Sequence, residues 1–101
     1  MPSNIVSQLA NRIRRRYPHL KFRIKRAVLS DAFATTHLHA ATGTYIITID
    51  KEIKPDLAAF LLAHEISHAI SWHGDSDEHG DAYWAAYRQV YAIYETFAAG
   101  K

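Results

Sequence analysis

Residues 55–74 read PDLAAFLLAHEISHAISWHG, and the stretch carries the marks of one long helix. Pro55 suits the first helical turn, where a missing N–H costs nothing, and the helix dipole favours a carboxylate at Asp56. A stop falls near His73-Gly74. Leu57, Phe60, Leu61, Leu62, Ile66 and Ile70 cover nearly the whole circumference. A helix apolar on all sides belongs inside a domain, so a central, buried helix is expected from Pro55 to about Trp72.

Working towards the N-terminus, Thr44 to Ile49 reads as a β-rich strand ending at Asp50. Thr42-Gly43 is a turn signal, and Thr35 to Ala41 reads as a second strand. In Leu20 to Leu29, Leu20, Phe22 and Ile24 alternate with Lys21, Arg23 and Lys25, the pattern of a half-buried strand. Ile5, Leu9 and Ile13 recur every four residues with Val6 and Tyr17 beside them, predicting a helix over 4–16. Ser3 or Asn4 would cap it and Pro18 would stop it. On the other side, a polar stretch runs from Gly74 to Gly80. A last helix follows from Asp81 to about Ala98, with Tyr83, Tyr87, Val90, Tyr94 and Phe97 as its core stripe.

With 101 residues, the chain holds one domain, 1–101. Apolar residues at 49% and charged residues at 22% are globular values. The absence of cysteine excludes disulfide frameworks, zinc ribbons, thiol nucleophiles and a Cys-ligated deformylase site. The longest apolar run, Leu57 to Ala63, is far too short to span a membrane. No apolar segment follows Met-Pro-Ser-Asn, so no secretory signal is expected. These readings predict a soluble, cytoplasmic protein with no membrane partner.

Charge is uneven. Residues 1–30 hold eight of the twelve Lys/Arg and no acid, whereas residues 31–101 hold all ten acids. The basic set is Arg12, Arg14, Arg15, Arg16, Lys21, Arg23, Lys25 and Arg26. Residues 12–26 are therefore a candidate for weak contact with nucleic-acid phosphates, against the plainer reading of a solvated surface.

The central helix contains His64-Glu65-Ile66-Ser67-His68, an H-E-x-x-H pattern. A chain of this composition would hold the pattern by chance roughly 0.02 times. Positions i and i+4 share one helix face, so two imidazoles there can grip one Zn²⁺. Glu65 lies beside that axis, poorly placed as a ligand but able to take a proton from a metal-activated water. Two histidines and a glutamate on an otherwise apolar helix are expensive without partners, and a metal supplies one. The competing reading satisfies the histidines with backbone carbonyls and pairs Glu65 with an arginine.

A catalytic zinc needs a third protein ligand and an open fourth position. His79, eleven residues after His68, is the choice, since a chain turning at Gly74 can bring it back over the metal. His73, Asp75, Asp77 and Glu78 are rivals from the intervening loop. Glu95 would serve in a Glu-ligated site.

His64-Glu65-Ile66-Ser67-His68-Ala69, followed by His79-Gly80-Asp81-Ala82-Tyr83-Trp84, resembles the SprT-like metallopeptidases. Their pattern is H-E-x-x-H-A, a loop, then H-G-x-x-aromatic. The likeness covers 45–101 best, and the N-terminal part only by its order of elements. It implies an α+β fold with a minimal zincin-like core: N-terminal helix, three-stranded sheet, H-E-x-x-H helix and C-terminal helix. It further implies zinc held by His64, His68 and His79, with Glu65 catalytic in peptide-bond hydrolysis of a protein or peptide substrate. In some members the substrates are DNA-bound proteins. The cysteine-based zinc ribbon of many members has no counterpart here. By the same resemblance, the strand Thr44–Ile49 would lie on the cleft edge and pair with an extended substrate.

Candidates for an oxyanion donor are Tyr83, Tyr87, Arg88, Tyr91, His37 and His39, although tyrosines at this spacing are commonly core. Asp75, Asp77 or Asp81 could orient His79. Trp72 and Trp84 are expected to pack around the central helix. The rival to a peptidase is a metal-stabilised, non-catalytic module that binds nucleic acid or protein. A metal-free adaptor with a decayed site is the third reading. The intact Glu65 favours the first, because a purely structural site needs no base.

Overall fold

A computed structural model describes residues 5–72 and 80–99. The element order is α1 (Ile5–Arg16), β1 (Phe22–Ala27), β2 (Ala34–His39), β3 (Thr44–Asp50), α2 (Pro55–Ile70) and α3 (Asp81–Ala99). This is an α+β fold. Each element expected from periodicity is present, with ends displaced by a few residues. The proposed caps Ser3 and Asn4 lie outside the described residues.

Helix α1 buries Val6, Leu9, Ala10 and Ile13, the stripe its spacing demands. The chain after it stays close to the sheet through Arg14, whose guanidinium lies 4.4 Å from the Phe22 ring centre and donates to the Phe22 carbonyl. Strands β2 and β3 form a hairpin whose turn places Gly43 at φ +70, a conformation glycine adopts without a Cβ penalty. Both Thr42 N–H and Gly43 N–H donate to the His39 carbonyl there.

The strand order is β1-β3-β2, with β1 parallel and β2 antiparallel to β3. The strand Thr44–Asp50 is thus central and hydrogen-bonded on both sides. This corrects its expected place on the cleft edge: it has no free edge to offer a substrate. The edge beside the site belongs to β2. Ile47 and Ile49 are fully buried on the helix-facing side of the sheet. The outer side carries Arg23, Ile46 and His37 in one cross-strand row, and Lys25, Thr48 and Thr35 in the next.

Helix α2 lies between the sheet on one side and α1 and α3 on the other. Its entry is fixed by the β3–α2 turn. Asp50 accepts from the Leu29 and Glu52 N–H groups, while Arg26 donates to the Asp50 and Ile53 carbonyls. Pro55 stands in the first turn with Asp56, and the helix ends at Ser71. Leu62 and Ile66 are fully buried and join Leu9, Ile13, Phe22, Ile47, Ile49 and Val90 in one core. Each side chain of this size contributes about 1.5–3 kcal/mol by leaving water. Burial is not uniform around α2: Leu57 is 48% exposed, and Phe60 and Leu61 are half-buried. The expectation of burial on every face fails there because no element covers that stripe completely. Among the described residues no helix is long and apolar enough to cross a membrane.

Candidate functional site

His64, Glu65 and His68 occupy the third and fourth turns of α2, held rigid because Leu62, Ala63 and Ile66 beside them are fully buried. The two imidazole centres are 5.0 Å apart. Two imidazoles bonded to one tetrahedral zinc at about 2.0–2.1 Å hold their ring centres about 5 Å apart, so the pair fits the ion. His68 and Glu65 are 8% and 7% exposed, a burial that polar groups sustain only when they are partnered.

Tyr83 of α3 closes one side. Its hydroxyl lies 2.9 Å from His64 Nδ1, and its ring centre is 4.6 Å from that of His68. In the tautomer that donates from Nδ1 to the phenol oxygen, His64 Nε2 keeps its lone pair for a cation. Burial, with Tyr87 and then Glu65 nearby, pushes the Tyr83 phenol well above its usual range, so it stays neutral. Tyr83, expected in the core stripe, is indeed buried, but its polar end serves the histidines.

Thr36 of β2 closes the other side. Its Oγ1 donates to the Glu65 carboxylate and lies 3.3 Å from the Glu65 carbonyl oxygen. Nothing in the sequence singled out Thr36. The usable signal was alternation: in β2, Thr36 is half-buried while Thr35 and His37 are exposed. The same alternation turns His37 and His39 towards the outer face of the sheet, away from Glu65.

His79 lies outside the described residues, as do His73, Asp75, Asp77 and Glu78. Gly80 directly precedes α3. Among the described residues no group of three His, Cys, Asp or Glu side chains could hold a metal ion. Glu95 is exposed and sits twelve residues beyond Tyr83 on the same helix, about 18 Å along its axis, so it is remote from the histidines. Asp81 and Arg88 are exposed on α3. Trp72 packs edge-on against Tyr45, at 5.6 Å. Trp84 is 49% exposed and meets the rings of Tyr83 and Tyr87 edge-on.

The basic residues do not form one patch. Arg14 and Arg26 donate to backbone carbonyls. Arg12, Arg15 and Arg16 line a groove of about 400 Å³ with Ile93 and Thr96, on the helical side of the molecule. Arg23 and Lys25 are exposed on the outer face of the sheet.

No protein-family model matches this chain, and the search of curated proteins returns no relative. Among solved structures, the fold is similar to that of a metallopeptidase zymogen, abylysin of Pyrococcus abyssi. The TM-score is 0.61 at 15% sequence identity, covering 94% of this chain and 93% of that one. At that identity the likeness is one of fold alone.

Proposed function

We propose that this chain is a zinc-dependent peptidase of the minimal zincin type, with the SprT-like motif pair as its metal site. The observation that carries the reading is the pair of imidazoles one turn apart, 5.0 Å between centres, with Glu65 beside them. His64 and His68 would hold the ion together with His79, which precedes α3 by two residues. Zinc held there would acidify water and polarise a carbonyl. Glu65 takes the proton from the attacking water and passes it to the leaving amine, as a general base and then a general acid. Thr36 steers the Glu65 carboxylate by its hydroxyl, and Tyr83 selects the His64 tautomer. The substrate is a protein or peptide, and a cytoplasmic compartment suits a chain with no cysteine.

The test joins metal content to one substitution. Purified protein should bind one zinc, and Glu65→Gln should retain it while abolishing peptide cleavage. A Glu65→Gln protein that cleaves at the wild-type rate removes Glu65 from the mechanism. A wild-type chain that never takes up zinc overturns the whole reading.

The proposal includes weak contact with nucleic-acid phosphates through Arg12, Arg15 and Arg16. Binding of duplex DNA should weaken steeply as salt rises.

A further inference from the structure

The floor of the site changes character on moving from His64 towards the start of α2. Leu57, Phe60, Leu61, His64 and His68 recur at three- and four-residue steps, which places them on one helix stripe. Leu57 is 48% exposed, and Phe60 and Leu61 are half-buried. Residues 57–63 carry no charge.

Helix α3 runs antiparallel beside this stripe. Tyr83 lies against both histidines, and Phe60 meets the rings of Tyr91 and Tyr94 edge-on, each at 6.3 Å. Between these points the rings form a continuous ladder. Centres are 5.9 Å apart from Tyr83 to Tyr87, 5.3 Å from Tyr87 to Tyr91 and 5.5 Å from Tyr91 to Tyr94. The first two steps are stacked within about twenty degrees of parallel, at 18° and 21°. Trp84 extends the surface, 5.6 Å from Tyr87. Tyr87, Tyr91 and Tyr94 are only half-buried, so the ladder presents rigid rings to solvent. An exposed apolar surface of this kind, continuous with a polar centre, has the make-up of a recognition surface.

We propose that the ladder of Tyr87, Tyr91 and Tyr94, with Phe60, Leu57 and Leu61, is the wall that selects the substrate. It takes an extended peptide segment with aromatic or bulky aliphatic side chains at alternate positions on one side of the scissile bond. The proposal rests on the peptidase reading above. Four physical points support this occupant. The ladder begins on Tyr83 itself, so a chain lying on it is delivered to the histidines. Tyr83 to Tyr94 spans about 16 Å, the length of four to five extended residues. Successive side chains of an extended peptide point in opposite directions, so every second one meets the rings. Tyrosine has few rotors to freeze, which makes it an economical contact surface.

The test uses the zinc-loaded full chain carrying Glu65→Gln and two labelled seven-residue peptides, one with Phe and one with Ser at alternate positions. The Phe peptide should bind about ten-fold tighter. Adding Tyr91→Ser should cut that advantage to about two-fold, and Tyr91→Phe should preserve it. Equal binding of the two peptides overturns the proposal. Should Tyr91→Ser fail to fold, the comparison of the two peptides decides alone. Cleavage by the wild-type chain separates the two readings. If it hydrolyses both peptides equally well, the peptidase stands and the ladder falls. If it hydrolyses neither while Glu65→Gln still discriminates, the peptidase falls and the ladder stands as a peptide-binding surface. A wild-type dimer that Tyr91→Ser dissociates assigns the rings to a second copy and also overturns the proposal.

Discussion

The phenolic oxygen of Tyr83 stands 2.9 Å from Nδ1 of His64, although nineteen residues separate them in the chain. That contact ties α3 to the one turn of α2 on which the metal would sit. In the proposed metal site it would orient the imidazole and leave Nε2 to the ion, the service such outer hydrogen bonds perform for metal-bound histidines.

Tyr83→Phe keeps the buried ring and removes only the hydroxyl. Zinc affinity should fall about ten-fold, with the circular dichroism spectrum unchanged. Competition with a chromogenic chelator reads the affinity. Unchanged affinity would mean that the contact does not orient His64.

Thr36→Val removes the donor to the Glu65 carboxylate while nearly preserving shape. Peptide cleavage should slow about ten-fold, equivalent to about 1.4 kcal/mol, with zinc content intact. Thr36→Ser should restore most of the rate. A Val variant as fast as wild type would make the bond structural only.

His79→Ala should lower zinc affinity by at least about ten-fold, whereas Glu95→Ala should leave it unchanged. The helix geometry demands the second outcome, because Glu95 is about 18 Å from Tyr83 along α3. The opposite result would move the third ligand to α3.

Alkaline pH should destabilise the fold through the phenols of Tyr83 and Tyr87. Burial first, then the neighbouring phenol Tyr91, raises the Tyr87 pKa above its ordinary value of 10.0. Tyr83 is raised further, again chiefly by burial. A phenol whose folded pKa is raised holds its proton more tightly folded than unfolded. Its contribution is complete below pH ~10 and is lost as pH rises through the folded pKa. Denaturant melts should therefore show stability falling above pH ~10, and less steeply in Tyr87→Phe. A Phe variant with the wild-type slope would exclude Tyr87 as a contributor.

Much of the fold could be read directly from local periodicity. Ile5, Leu9 and Ile13 marked α1, and the alternation around Phe22 and Ile24 marked β1, because helix and strand repeats are written in neighbouring residues. The strand order could not be read in this way. A β-rich run such as Thr44–Ile49 does not say which strands flank it; the resemblance to SprT-like metallopeptidases put β3 at the cleft edge, and the order β1-β3-β2 puts it in the centre. Burial of α2 was overestimated for the same reason. Leu57, Phe60 and Leu61 look like core residues in sequence, and only the packing of α3 shows which of them stay open.

The H-E-x-x-H spacing by itself brings two imidazoles and a carboxylate to one side of a helix, since 3.6 residues per turn leaves no other arrangement once the helix forms. No local rule could bring Thr36 to Glu65 or Tyr83 to His64. These pairs are twenty-nine and nineteen residues apart, and they meet because the shared core presses β2 and α3 against α2 from opposite sides. The sequence therefore determined which groups are available for chemistry. Tertiary packing decided which neighbours hold them in place and which face remains open to solvent.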